Sequence, residues 1–199
     1  MYELNRKFKV LVSCICFCTA LNSQPVHPDN GIIYWTKTSR LIFSDFQGKP
    51  GQEDTTLYEA SSKILTHKLG SIIKSIDVHL VTESGKTTFT IYAGMKKNLS
   101  WIKDYGDTIS LKHEQGHFDI CEIYTRIFRR DVKNAKSLSE AKAIFDKVST
   151  DEELEQDNYD KDNTFQLGGI TKNWSEKIIT RLKELEPYSN SVVTLVIYK

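Results

Sequence analysis

Thr108-Ile109-Ser110-Leu111-Lys112-His113-Glu114-Gln115-Gly116-His117-Phe118-Asp119-Ile120-Cys121-Glu122-Ile123-Tyr124-Thr125-Arg126-Ile127-Phe128-Arg129-Arg130-Asp131-Val132 decides how this chain is read. Ile109, Leu111, Ile120, Ile123, Ile127 and Phe128 recur at helical spacing and predict one long amphipathic helix from about Thr108 to Val132. Asp107 or Thr108 can cap its start. Arg126, Arg129, Arg130 and Lys133 gather at its end, where cations suit the helix dipole. Inside it lies His113-Glu114-Gln115-Gly116-His117, an H-E-x-x-H pattern. Two His four residues apart stand one turn apart on one helix face, so both imidazoles can reach a single Zn²⁺. Glu114 is then placed as a general base toward a water that the metal polarises, which points to metal-assisted hydrolysis. Gly116 costs about 1 kcal/mol of helix stability against Ala. It sits between the two His, where a missing side chain leaves room for metal or substrate. At about 100° per residue, Asp119 and Glu122 turn away from the His face and read as surface or supporting groups rather than ligands. The competing reading makes both His ordinary residues of a surface or core helix.

Working toward the N-terminus, residues 1–23 read as a secretory signal peptide. Arg6, Lys7 and Lys9 form its basic region and Val10 to Leu21 its apolar one. The apolar run is too short to span a bilayer permanently, so no stable membrane span is expected after cleavage at Ala20 or Ser23. Leu11-Val12-Ser13-Cys14 superficially resembles a lipoprotein box, which makes anchoring an alternative to release; the expected location is secreted, periplasmic or in the cell envelope. Three of the four Cys (Cys14, Cys16, Cys18) fall in the leader. The remaining Cys121 reads as a buried inert thiol. The hydrophobic fraction of 39% supports a core, and residues 24–199 fit one domain. A net charge of +1 gives no electrostatic case for a nucleic-acid partner.

Between leader and motif helix the chain is rich in β-branched and aromatic residues. Ile32 to Thr38, Leu41 to Phe43, Thr55 to Leu69, Ile72 to Thr82 and Thr87 to Tyr92 read as strands, with Ser84-Gly85-Lys86 as a hairpin turn. After Gly94 the pattern turns helical, with a short segment over Leu99 to Tyr105. Helices follow from Ser139 to about Asp162 and from Thr171 to Leu185, ended by Pro187, and a final strand covers 191–198. The fold class is therefore α+β: an N-terminal, mostly antiparallel sheet followed by a helical part that carries the motif.

Several stretches together resemble the DUF922 family of predicted secreted zinc-dependent proteases. They are Ile33-Tyr34-Trp35, Leu41 to Gly48, Ser100-Trp101, His113 to Ile120 with Glu122-Ile123-Tyr124 and Arg126, Gln156 with Tyr159-Asp160, and Trp174. The resemblance covers roughly residues 32–185 and implies a zincin-like metallopeptidase domain. The family pattern continues the Tyr-Asp pair with Thr and His; here those positions hold Asn163 and Phe165, and no His follows His117. A catalytic zinc site needs a third protein ligand and an open position. His27 lies in the lead-in, and His67 and His79 in predicted strands. An acid of the second helix is the better candidate. Asp160 is favoured, because it belongs to the family-like pair and shares a polar stripe with Gln156 and Asn163; Glu155 and Glu152 remain alternatives. Tyr159 is a candidate hydrogen-bond donor to a tetrahedral oxyanion, or else a packed Tyr. The expectation is a secreted zinc-dependent hydrolase, a metalloendopeptidase acting on peptide or protein, with metal ligands His113, His117 and Asp160 and with Glu114 and Tyr159 catalytic. The alternative is a catalytically degenerate zincin-like module with a structural or binding role.

Overall fold

The computed structural model describes residues 31–38, 40–51, 70–163 and 170–196. The leader, the Thr55–Leu69 strand expectation, His27, His67 and Phe165 lie outside them.

Two long strands form the centre of the sheet. Strands β3 (Lys74–Glu83) and β4 (Lys86–Lys96) pair antiparallel along their whole length, from Lys74↔Met95 to Glu83↔Lys86. Their connection is the two-residue turn foreseen at Ser84-Gly85, with φ of 50° and 77°, the doubly positive geometry that matches the twist of a tight hairpin. The opposite edge of β4 is shared. Strand β1 (Ile32–Tyr34) pairs with its C-terminal part and β6 (Val192–Val196) with its N-terminal part, both antiparallel. A separate ribbon joins β2 (Gly70–Ser71) to β5 (Trp101–Ile102).

Three helices follow, α1 (Thr108–Val132), α2 (Leu138–Asn163) and α3 (Lys172–Glu184). Asp107 caps α1 by accepting from the amides of Ile109 and Ser110, and Thr171 caps α3. Along α1, Ile120, Ile123, Tyr124, Phe128 and Val132 are buried with Leu80, Phe89 and Ile91 of the hairpin, Val193 and Leu195 of β6, and Val148, Tyr159, Trp174 and Ile178 of the other helices. Phe118 and Cys121 join a second cluster with Leu41, Phe46, Ile72, Met95 and Ile102. The α+β order of sheet followed by helices is thus the observed one. Among the described residues no helix is long and apolar enough to cross a membrane.

Three local expectations are corrected. Leu41 to Phe43 is not a strand: a 3-10 turn forms at Phe43–Asp45, because the Asp45 carboxylate accepts from the Ile42 amide (3.0 Å) and folds the chain back. The helical pattern does not begin after Gly94, since β4 runs on to Lys96 with β1 and β3 on either side of it. Leu99 to Tyr105 is not a helix; it holds the two-residue strand β5 paired to β2.

Candidate metal centre

His113 and His117 project from the middle of α1 toward the last turns of α2. Their Nε2 atoms lie 3.0 Å apart, and Asp160 Oδ1 sits 3.2 Å from the first and 2.9 Å from the second. Among the described residues these three side chains form the group able to hold a metal ion. Zinc–nitrogen bonds of about 2.0–2.1 Å in a tetrahedral arrangement set neighbouring ligand atoms roughly 3.3 Å apart. The observed separations of 2.9 to 3.2 Å fit that spacing. Two imidazoles and a carboxylate also make a donor set suited to zinc.

Each alternative third ligand is committed elsewhere. Glu155 Oε1 pairs with Lys177 (2.7 Å) and Arg181 (3.0 Å) of α3, and its Oε2 accepts from the Tyr124 hydroxyl (3.4 Å). Glu152 pairs with Lys74 of β3 at 3.1 Å. His79 is an exposed residue of β3 outside the cluster. Asn163, where the family pattern has Thr, joins two helices instead. Its amide donates to Tyr159 O (2.7 Å), and its Oδ1 accepts from Thr171 N (2.6 Å).

The rings are held from behind. His117 Nδ1 donates to Gln156 Oε1 at 2.5 Å, and Gln156 Nε2 donates to both His117 O (3.0 Å) and Glu152 Oε1 (2.6 Å). Tyr159 is fully buried, stacked on His113 (ring centroids 4.9 Å) and edge-on to His117 (4.8 Å). Its hydroxyl donates to His113 O at 3.1 Å, so its proton is spent on the backbone of α1 and the residue holds the arrangement of a packed Tyr. Gly116 also has a different neighbour from the one expected. A Cβ there would fall 2.1 Å from the Tyr159 hydroxyl, so the space between the two His is filled by Tyr159 and not left for metal or substrate.

Glu114 is buried. Gly70 of β2 passes close over it: a Cβ at Gly70 would lie 2.8 Å from Glu114 Oε1. Its negative charge is felt at His117 and Tyr159. Burial works against a protonated His117, yet the hydrogen bond to Asp160, the charges of Glu114 and Asp160 and the bond to Gln156 outweigh it and raise its pKa. Burial also works to raise Asp160, but hydrogen bonds from His113 and His117 overcome it and hold this carboxyl well below the usual range. Burial and the nearby carboxylates push the Tyr159 phenol far up, which keeps it a neutral donor.

Asp119 and Glu122 are not ligands, but neither is a surface group. Asp119 Oδ1 accepts from Trp35 Nε1 (2.7 Å) and Gln115 Nε2 (2.9 Å), while Gln115 Oε1 accepts from Leu41 N (2.9 Å). These bonds fasten the N-terminal segment to the motif helix. Glu122 is buried between Arg126 and Arg129 (2.8 and 3.0 Å), so these two arginines do more than complement the helix dipole. Cys121 is buried, its thiol donates weakly to Ser75 O (3.6 Å), and burial raises its pKa well above the ordinary value, as befits an inert thiol. Sequence reading missed Gln156 as the partner of His117, although the Glu152, Gln156, Asp160 spacing of four placed all three on one helix face. It missed Lys74 too, for which a strand of mixed residues carries no signal.

No protein-family model, no curated protein and no solved structure matches this chain.

Proposed function

We propose that the protein is a zinc-dependent hydrolase, and that peptides or proteins are its substrates. The observation that carries the reading is the convergence of His113 Nε2, His117 Nε2 and Asp160 Oδ1 on one point, on a helix that also bears Glu114. An anionic Asp160 against two imidazoles is a site that a divalent cation satisfies in place of shared protons. When bound, zinc supplies Lewis acidity that brings the pKa of water toward neutrality. Glu114 accepts the water proton and returns it to the leaving amine. Asp160 and the two His hold the charge, while Tyr159 and Gln156 keep the rings in place. Peptide as the scissile class, the secreted location and zincin-like ancestry rest on the DUF922 resemblance and on the leader-like residues 1–23.

Metal analysis of the purified protein tests this directly. About one zinc per chain is expected, lost in His113→Ala and Asp160→Ala. Glu114→Gln should retain zinc and lose hydrolysis of a peptide library by about 10²-fold or more. Retained zinc with no hydrolysis by the parent protein would favour the alternative of a structural module. Absence of zinc would overturn the metal centre itself.

A further inference from the structure

Gln156 has only one orientation that its neighbours permit. One end of its amide faces two acceptors, the His117 carbonyl and the Glu152 carboxylate, at 3.0 and 2.6 Å. That end must be the NH₂, because an oxygen there would meet two other oxygens with no proton between them. The carbonyl end therefore faces His117 Nδ1, and only an Nδ1–H can bond to it at 2.5 Å. Glu152 imposes this choice by acting as an acceptor, and it is buried on the protein side of α2. Lys74 of β3 reaches it at 3.1 Å, with side chains only 18% and 11% exposed, and so offsets a negative charge that would otherwise be buried alone.

We propose that Lys74, Glu152 and Gln156 form a positioning relay that keeps a proton on His117 Nδ1, so that Nε2 is the nitrogen turned toward His113 and Asp160 as the ligating atom. The relay deepens the metal-centre reading, since it matters to function only if His117 Nε2 ligates. A lone imidazole divides between tautomers and ring orientations; one held by a second bond at its far nitrogen presents the ligating atom ready-made, and losing such a partner weakens metal affinity by about 10–100-fold. It also ties the centre to the sheet, because Lys74 is the first residue of β3.

Two readouts test it. In the metal-free protein, ¹⁵N–¹H spectra should show a proton on His117 Nδ1 that is protected from exchange, and Gln156→Leu should lose that protection. A His117 Nδ1 without a proton in the parent protein overturns the relay whether or not zinc binds. In chelator competition, Gln156→Leu and Lys74→Met should each weaken zinc binding by about 10–100-fold, with Lys74→Arg restoring most of the loss and far-ultraviolet dichroism unchanged. Unaltered zinc affinity in Lys74→Met overturns the role of Lys74 even if Gln156→Leu does not fold. A parent protein that carries the Nδ1 proton but binds no zinc leaves the relay standing and removes the hydrolase reading.

Discussion

Gly116 shows how far a single position can be misread from sequence and still be correctly singled out. Glycine inside a helix is unfavourable by about 1 kcal/mol against alanine, so its presence asks for a reason. The reason is Tyr159, whose hydroxyl occupies the place of a Cβ and bonds to His113 O. Since Asp160 is the next residue, anything that pushes Tyr159 away also moves the carboxylate. Gly116→Ala should therefore destabilise the fold by about 1–3 kcal/mol through overpacking, despite its better helix propensity, and weaken zinc binding at the same time. Chemical denaturation and metal titration of the variant measure both; a variant as stable as the parent that still binds zinc would show that Tyr159 is not fixed there. The same residues mark what sequence can reveal. The four-residue spacing of His113 and His117 is a property of one helix, and it was legible. The sequence favoured Asp160 over Glu155 and Glu152 without separating them, because the separation depends on which of them Lys74, Lys177 and Arg181 neutralise from other elements.

Elements whose ends are set by local chemistry were read almost to the residue. Helix α1 runs over Thr108–Val132 as expected, and its start is fixed by Asp107, which accepts from Ile109 N (2.9 Å), Ser110 N (3.2 Å) and the Ser110 hydroxyl. The β3–β4 hairpin was equally legible from Ser84-Gly85. Elements that exist only through pairing were not: β5 is two residues long and has β2 as its reason. The cap gives a test at this scale. Asp107→Ala should cost about 1 kcal/mol, the usual worth of such a cap. Its pH dependence has a definite sign. Burial works to raise the Asp107 carboxyl, but the bonds from Ser110 and Ile109 together win and lower its pKa below the ordinary value that it has in the unfolded chain. The cap's contribution is then full above that value and fades as pH falls through the folded pKa. Denaturation midpoints of parent and Asp107→Ala should differ at pH 7 and converge toward pH 2; a constant difference would refute the cap as an ionised acceptor.

At the scale of the molecule, the centre draws its ligands from two helices, so a bound ion joins α1 to α2. Zinc should raise the melting temperature of the parent protein, by an amount equivalent to about 2.7 kcal/mol when free metal exceeds the Kd a hundredfold, and should leave Asp160→Ala unmoved. The other tie lies two turns further along α1, where Glu122 is buried against Arg126 and Arg129. These guanidiniums do more than pair with it. Arg126 donates to Leu182 O at the end of α3 (2.8 Å) and to Glu186 (3.0 Å). Arg129 donates to Ile91 O of β4 (2.7 Å), and to Tyr188 O and Ser189 O (3.3 and 3.4 Å) in the segment leading to β6. The carboxylate thus allows two buried cations to stand together and tie sheet, third helix and C-terminal strand to the motif helix. Removing it leaves Arg129 buried without a counter-charge and Arg126 with only the half-exposed Glu186, and breaking a buried pair in this way costs about 3–5 kcal/mol. Glu122→Ala should show that loss in urea denaturation, whereas Lys147→Ala, which breaks an exposed pair with Asp151 on α2, should leave the midpoint within experimental scatter. A Glu122→Ala protein as stable as the Lys147→Ala control would mean that the backbone carbonyls and Glu186 suffice to hold Arg126 and Arg129, and that the fold closes around the centre without this charge.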